Sequence, residues 1–280
     1  MPVLPELLAQ TGKIAAAFDV PRVRRVYIPD PRPHENRHTE FGVVELEDGS
    51  AGLYYAWLGD SQKSMVRRFH AEQFSGVPPT EIISLLEGDN DADRSLGMAA
   101  VNAITHSFWR RSGYRPEEAG DSMGALAPDT EDHVGMVGYF PSLVDRLRRQ
   151  GIRVTVIEKK SRFADAGEEY VTITDSPAGL EACNKILCTA STLLNDSLDE
   201  ILQHCRDAET IVVVGPTAGF LPDPLFRRNV TALGGTEILD AEATIDNLRN
   251  DRGLADSTHK YLIPRTSYPG LDTLLSRLNI

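Results

Sequence analysis

From residue 134 onward, short apolar runs alternate with helical stretches, and this constrains the fold more than any other feature. Val134–Val137, Ile152–Ile157, Ile186–Cys188, Ile211–Val214 and Val230–Leu233 are strand-length and mostly apolar. Between the first two, Pro141–Gln150 reads as a helix, with Pro at its first position and Gly151 just past its end. Arg146, Arg148 and Arg149 lie in its last turns, where cations suit the helix dipole. Buried-type strands joined by helices predict a doubly wound parallel α/β sheet.

The first part of the chain follows a different pattern. Leu4–Phe18 has helical apolar spacing, and Val23–Ile28 looks extended. Phe41–Leu46, the turn residues Asp48-Gly49, and Leu53–Leu58 read as a β-hairpin. Two helices follow, Thr80–Glu87 and Ser95–Trp109, the second small and apolar enough to be buried between layers. Arg110–Asp132 is rich in Gly, Pro and acids, which places a boundary near residue 125 between an α+β domain (1–125) and the doubly wound domain (126–280).

Composition excludes several classes of function. The chain has 280 residues and a net charge of -12, so a phosphate-backbone partner is disfavoured and no nucleic-acid role is expected. No apolar run reaches the roughly 18 residues of a membrane span, and the N-terminus lacks the pattern of a signal peptide. Three cysteines do not form a disulfide framework. These features predict a soluble cytoplasmic protein without a membrane partner.

Ligands of doubly wound sheets bind beyond the carboxyl ends of the strands. Those ends carry Gly135, Gly138 and Tyr139 on the first strand, and Glu158 on the second, twenty residues past Gly138. The third ends in Thr189, Ser191 and Asn195, and the fourth in Gly215, Pro216 and Thr217. Glycine turns at a helix start suit an anionic group, and an acid about 20 residues on suits a ribose. Each feature has a plainer reading: a tight turn, a solvated charge, or a helix cap such as the box Ser197-x-x-Glu200.

His34-Glu35-Asn36-Arg37-His38 is literally the zinc-protease string H-E-x-x-H. That chemistry requires a helix, whereas three prolines precede the string and a strand follows it. A loop metal site using His34 and His38 is the form left open. His106, beside Asn102 on the buried helix, reads as a satisfied core histidine. Neither G-x-S-x-G nor a Walker A string is present.

Six blocks resemble a family described as heavy-metal chelation proteins: LGMAAVNAIT (96–105), VGMVGYFPSLVDRL (134–147), VIEKK (156–160), CTASTLLNDSLDEIL (188–202), VVVGPTAGFLPDPLF (212–226) and ALGGTEILDAEATI (232–245). The resemblance implies an enolase-N-terminal-like α+β domain followed by a Rossmann-like domain, with a site between them. It implies a small-molecule enzyme acting on a pterin-, flavin- or siderophore-like metabolite. The lining carried over by position is Asn102, Gly135, Gly138, Tyr139, Glu158, Thr189, Ser191, Asn195, Gly215, Pro216 and Thr217, with Glu158 and Asn195 as the catalytic candidates. The family's GPSTP-like run is replaced here by Gly215-Pro216-Thr217-Ala218-Gly219, which removes a hydroxyl and a proline. Two alternatives stand beside the enzyme: a non-catalytic binder of a metal or metal chelate, and an adenosylmethionine-dependent methyltransferase-like enzyme. The stretch 247–280 is free to cover the cleft or to form a homodimer contact.

Overall fold

The computed structural model describes residues 1–30, 40–119, 125–159 and 170–279. Helix α1 (Val3–Ala17) leads into a three-stranded antiparallel meander of β1 (Val23–Tyr27), β2 (Phe41–Leu46) and β3 (Ala51–Tyr55). The β2–β3 turn falls at the expected Asp48-Gly49, with Gly49 at φ +82°. Short helices α2 (Ser61–Arg68) and α3 (Pro79–Ile83) precede the long α4 (Asp91–Ser112).

Helix α4 starts about a turn earlier than the apolar pattern predicts, because Asn90 caps it by accepting from the Asp93 N–H at 3.0 Å. It ends at Gly113, which takes the left-handed conformation. From Leu96 to Trp109 every residue is buried. A helix apolar on all sides is stable only between two layers, and α4 lies between the two sheets.

The second sheet has eight strands in the order β4-β11-β10-β9-β8-β5-β6-β7. These are β4 (Glu117–Glu118), β5 (His133–Val137), β6 (Arg153–Ile157), β7 (Val171–Thr174), β8 (Lys185–Thr189), β9 (Thr210–Val214), β10 (Ala232–Ile238) and β11 (Thr258–Pro264). Strands β5 to β10 run parallel. Their spatial order is the 3-2-1-4-5-6 of a dinucleotide-type sheet, with its switch point between β5 and β8. The sheet is mixed, not wholly parallel: β11 pairs antiparallel with β10, and β4 with β11. Part of the 247–280 stretch is therefore a strand of the sheet. Strand β4 precedes the boundary expected near residue 125, yet joins the second sheet.

Helices α5 (Pro141–Arg149), α6 (Leu198–Gln203), α7 (Asp223–Phe226), α8 (Ala241–Arg249) and α9 (Leu271–Ser276) complete the fold. Pro141 opens α5 as expected. The capping box expected at Ser197 does not form; its hydroxyl donates instead to Asn195 Oδ1 at 2.6 Å. Among the described residues no helix is long and apolar enough to cross a membrane.

One apolar core runs through both halves of the chain, joining α1, α4 and the meander to β8, β9, β11 and α9. A smaller cluster closes the junction, where Val43, Ala51 and Leu53 meet Ile238, Ala241, Ile245 and Leu248. The close approach of β3 to α4 depends on Gly52, where a Cβ would stand 2.1 Å from the Ala99 carbonyl oxygen.

Candidate functional site

Helix α4 crosses the carboxyl edge of the second sheet. Near its start, Arg94 Nε donates to the Leu194 carbonyl beyond β8 at 2.5 Å. Two turns on, Asn102 Nδ2 donates to the carbonyls of Thr217, beyond β9, at 2.8 Å and of Leu53, on β3, at 3.0 Å. Its Oδ1 accepts from the Gly219 N–H at 3.1 Å. Further along, His106 and Trp109 pack against Tyr261 of β11, with ring centroids 6.3 and 5.1 Å away.

This path divides the expected site residues. Asn102 is 1% exposed and Thr217 is 2% exposed. Thr217 Oγ1 accepts from the Tyr55 N–H at 3.2 Å. Both residues clamp the first domain to the second, which corrects their expected place in a ligand lining. Gly135 lies within β5 and not at its end; a Cβ there would stand 2.6 Å from Ile186 and 2.7 Å from Leu180, so it serves packing under the sheet.

The other candidates gather at the switch point. Gly138, at φ +87°, faces Thr189, whose Cγ2 would lie 3.2 Å from a Cβ on the glycine. Glu158 accepts from the Tyr139 N–H at 3.2 Å, bridging the ends of β5 and β6. Thr189 Oγ1 donates to Ser191 Oγ at 3.2 Å and accepts from the Ser191 N–H at 3.3 Å. Gly215, at φ +144°, stands next to Ala190, which follows Thr189, and Pro216 follows it half-buried. Asn195 is paired with Ser197.

A cavity of about 680 Å³ opens farther along the same edge, between the domains. Strand β10 reaches it because Gly234 pairs with Val214, the last residue of β9, and β10 then continues to Ile238. Its Glu237 stands opposite His259 of β11 in the antiparallel register. The first domain contributes Gly49 and Ser50 of the β2–β3 turn, together with His106, Trp109 and Arg110 of α4. The turn is fastened to the helix through Asp48. Its carboxylate accepts from Ser107 Oγ at 2.7 Å, and its carbonyl accepts from Arg110 at 2.7 Å.

Three side chains in this wall have a buried polar atom without a hydrogen-bond partner: Ser50 Oγ, His106 Nε2 and Trp109 Nε1. Such atoms are costly to leave unpaired, and all three belong to residues that line the cavity. His106 Nδ1 lies 2.8 Å from the Ala51 carbonyl, which can only accept, so Nδ1 carries the proton and Nε2 presents its lone pair. Burial pushes the His106 pKa down, opposed by the Glu237 carboxylate and by the bond to Ala51. The neutral imidazole is therefore the form the site holds near pH 7.

His106 escaped the sequence reading because a histidine on an apolar helix usually finds two partners. The available signal was the spacing His106, Trp109, Arg110, which puts all three on one face of α4. Among the described residues, no group of three or more His, Cys, Asp or Glu is placed to hold a metal ion. His34 and His38 lie outside the described residues.

Two family models match the chain, at residues 39–105 and 123–261, both described as "Putative heavy-metal chelation". An uncharacterized protein of Methanocaldococcus jannaschii is 25% identical over 173 residues, covering 59% of this chain and 62% of that protein. The match thus spans less than two-thirds of that relative's length. A protein of unknown function from Pyrococcus horikoshii is similar in structure, with a TM-score of 0.66, 20% identity, and coverage of 94% of this chain and 99% of that one. Another from Desulfitobacterium hafniense gives a TM-score of 0.68 at 17% identity, covering 93% and 99%. Both solved proteins share the fold from the meander through the mixed sheet. With residues 39–105 and 123–261 matched by models of one description, the chain belongs to the family described as "Putative heavy-metal chelation".

Proposed function

We propose that the protein is an enzyme acting on a small polar metabolite in the interdomain cavity, within chemistry linked to heavy-metal chelation. One observation supports this best: a cavity of about 680 Å³ whose wall holds the unpartnered atoms of Ser50, His106 and Trp109. The volume suits a metabolite, and a cleft lined by polar, charged and aromatic side chains suits specific recognition.

Native and denaturing mass spectra of the purified protein, with a thermal-shift screen of metabolites, test the reading. The expected result is an organic mass or a stabilising compound that Trp109→Phe releases or weakens. Agreement of the two spectra together with an empty screen would overturn it.

A second reading rests on the strand order. The 3-2-1-4-5-6 sheet places Glu158 at the end of its second strand, where nucleotide-binding sheets carry a ribose-binding acid. Adenosylmethionine held at the β5–β8 switch point would supply a methyl group, with Glu158 and the Gly138 turn binding its sugar and carboxylate.

A further inference from the structure

We propose that the cavity binds an aminocarboxylate, a compound carrying a protonated amine and a carboxylate, with the amine on the sheet side and the carboxylate at the end of α4. This names the substrate class of the enzyme reading above and rests on it. Strand register decides which side chains of the sheet face the cavity. Tyr261 of β11 lies against His106 and Trp109, so its face of the sheet is the one turned to α4. Glu118 of β4 is the cross-strand partner of Tyr261, and residues directly opposite project to the same face. His259 stands two residues before Tyr261, and Glu237 of β10 is opposite His259, so both share that face. Gly235, opposite Tyr261, agrees with this parity, since a Cβ there would stand 2.3 Å from the Tyr261 hydroxyl. Glu118, Glu237 and His259 all line the cavity.

The end of α4 brings the cations. Arg110 is in its last turn and Arg115 lies just beyond Gly113, and both line the same cavity. Arg115, Glu118, Glu237 and His259 make no hydrogen bond or ion pair with any described residue, while Arg110 gives Nη1 to the Asp48 carbonyl. Acids and arginines therefore share one cleft, yet stand beyond ion-pair distance of each other. They are also open to a ligand: Arg110, Arg115 and Glu118 are exposed, and Glu237 and His259 are half-buried. A purely anionic ligand would face the two carboxylates unpaired, and a purely cationic one would face the two guanidiniums. A molecule with both groups complements both sides. A guanidinium takes a carboxylate through two parallel N–H bonds, and a carboxylate accepts from an ammonium. Trp109 and Tyr114 line the same cavity and suit the carbon skeleton between the groups. Amine nitrogen and carboxylate oxygen are also metal donors, so this class accords with the description of the family.

The test uses the intact chain labelled with ¹⁵N, titrated at pH 7 with 6-aminohexanoate, hexanoate and hexylamine. The three share one carbon chain and carry both groups, the acid alone or the amine alone. The Trp109 indole N–H and the Arg110 and Arg115 Nε–H resonances report binding. 6-Aminohexanoate should bind at least tenfold more tightly than either single-charge probe. Arg115→Gln and Glu237→Gln should each weaken it about threefold or more, and only Arg115→Gln should weaken hexanoate. An unchanged thermal midpoint shows that each variant is folded, and the comparison of probes on the wild type needs no variant. Equal affinity for 6-aminohexanoate and either single-charge probe, or an affinity unchanged in both variants, would overturn the proposal and leave the cavity a site for another class of metabolite. If no probe moves any of the three resonances, the aminocarboxylate falls as well, and the enzyme reading is then decided by the mass spectra and the metabolite screen.

Discussion

The side-chain amide of Asn102 donates to the Thr217 carbonyl across 115 positions of chain, and it is the polar clamp of the domain junction. The same side chain also serves Leu53 O and the Gly219 N–H. Replacing it with Ala leaves three buried backbone groups unpaired, each costing about 1–3 kcal/mol before relaxation. Asn102→Ala should therefore lose roughly 3 kcal/mol in urea unfolding, with a lower midpoint and little change in slope. A loss below about 0.5 kcal/mol would show that the clamp is replaceable.

Gly52→Ala tests the close approach of β3 to α4. The added Cβ would stand 2.1 Å from the Ala99 carbonyl oxygen and 2.7 Å from the Ala103 nitrogen, both backbone atoms of a buried helix. Neither can rotate away, so sheet and helix must separate. The expected cost is about 3 kcal/mol, at the upper end of ordinary overpacking. Gly12→Ala, where a Cβ meets nothing within 4 Å, is the matched control and should be neutral or slightly stabilising.

These two positions show what the sequence made legible and what it concealed. The strand-helix alternation after Val134 and the apolar α4 follow from local periodicity, so the Rossmann-like sheet and the buried helix were readable. Strand β11 was not, because THKYLIP carries polar residues at a sheet margin and lacks the apolar run of β9. Gly138, Glu158, Thr189 and Gly215 were proposed by a positional rule, that ligands gather at strand ends, and the structure brings them to the switch point. Thr217 followed the same rule and Asn102 came from the family resemblance, yet both are buried in hydrogen bonds to β3 and the loop after β9. The His106 cavity depends on which face of α4 meets which overhang of β10, a tertiary relation that no local pattern encodes.

The buried neutral His106 makes stability depend on pH in a definite direction. Its pKa is lowered in the folded state, mainly by burial, so the unfolded chain binds the proton more readily. The contribution is complete above the unfolded value near 6.5 and is lost as pH falls below it, at up to ~1.4 kcal/mol per pH unit. His133 is shifted the same way by burial, so the comparison needs a variant and not the wild type alone. His106→Gln should show a shallower loss between pH 7.5 and 5.5 in chemical denaturation. Parallel curves for the two proteins would sink the assignment of a neutral, buried imidazole.

Glu6 behaves as a carboxylate that ties α1 to the second domain. It pairs with Arg227 at 2.5 Å and Arg228 at 2.8 Å, and the hydrogen bond from Arg228 leads in holding its pKa at about 2. Its stabilisation is present above the unfolded value near 4.5 and is lost as pH falls toward 2. Solvent screening of the exposed Arg227 keeps the effect modest, about 1 kcal/mol. Glu6→Gln should therefore be less stable than the wild type at pH 7, and the difference should vanish near pH 2. A difference that persists in acid would assign the effect to packing.

The switch point yields the last expectation, separate from the His106 cavity. Glu158 bridges β5 and β6 through the Tyr139 N–H and is half-buried, so water can replace its carboxylate when it is truncated. Glu158→Ala should leave the thermal midpoint nearly unchanged. If adenosylmethionine occupies this end of the sheet, calorimetry should detect its binding to the wild type and about tenfold weaker binding to the variant, the loss of about 1.4 kcal/mol expected for a charge-assisted hydrogen bond to ribose. No heat at millimolar adenosylmethionine removes methyl transfer, and equal binding to both proteins removes Glu158 from the site.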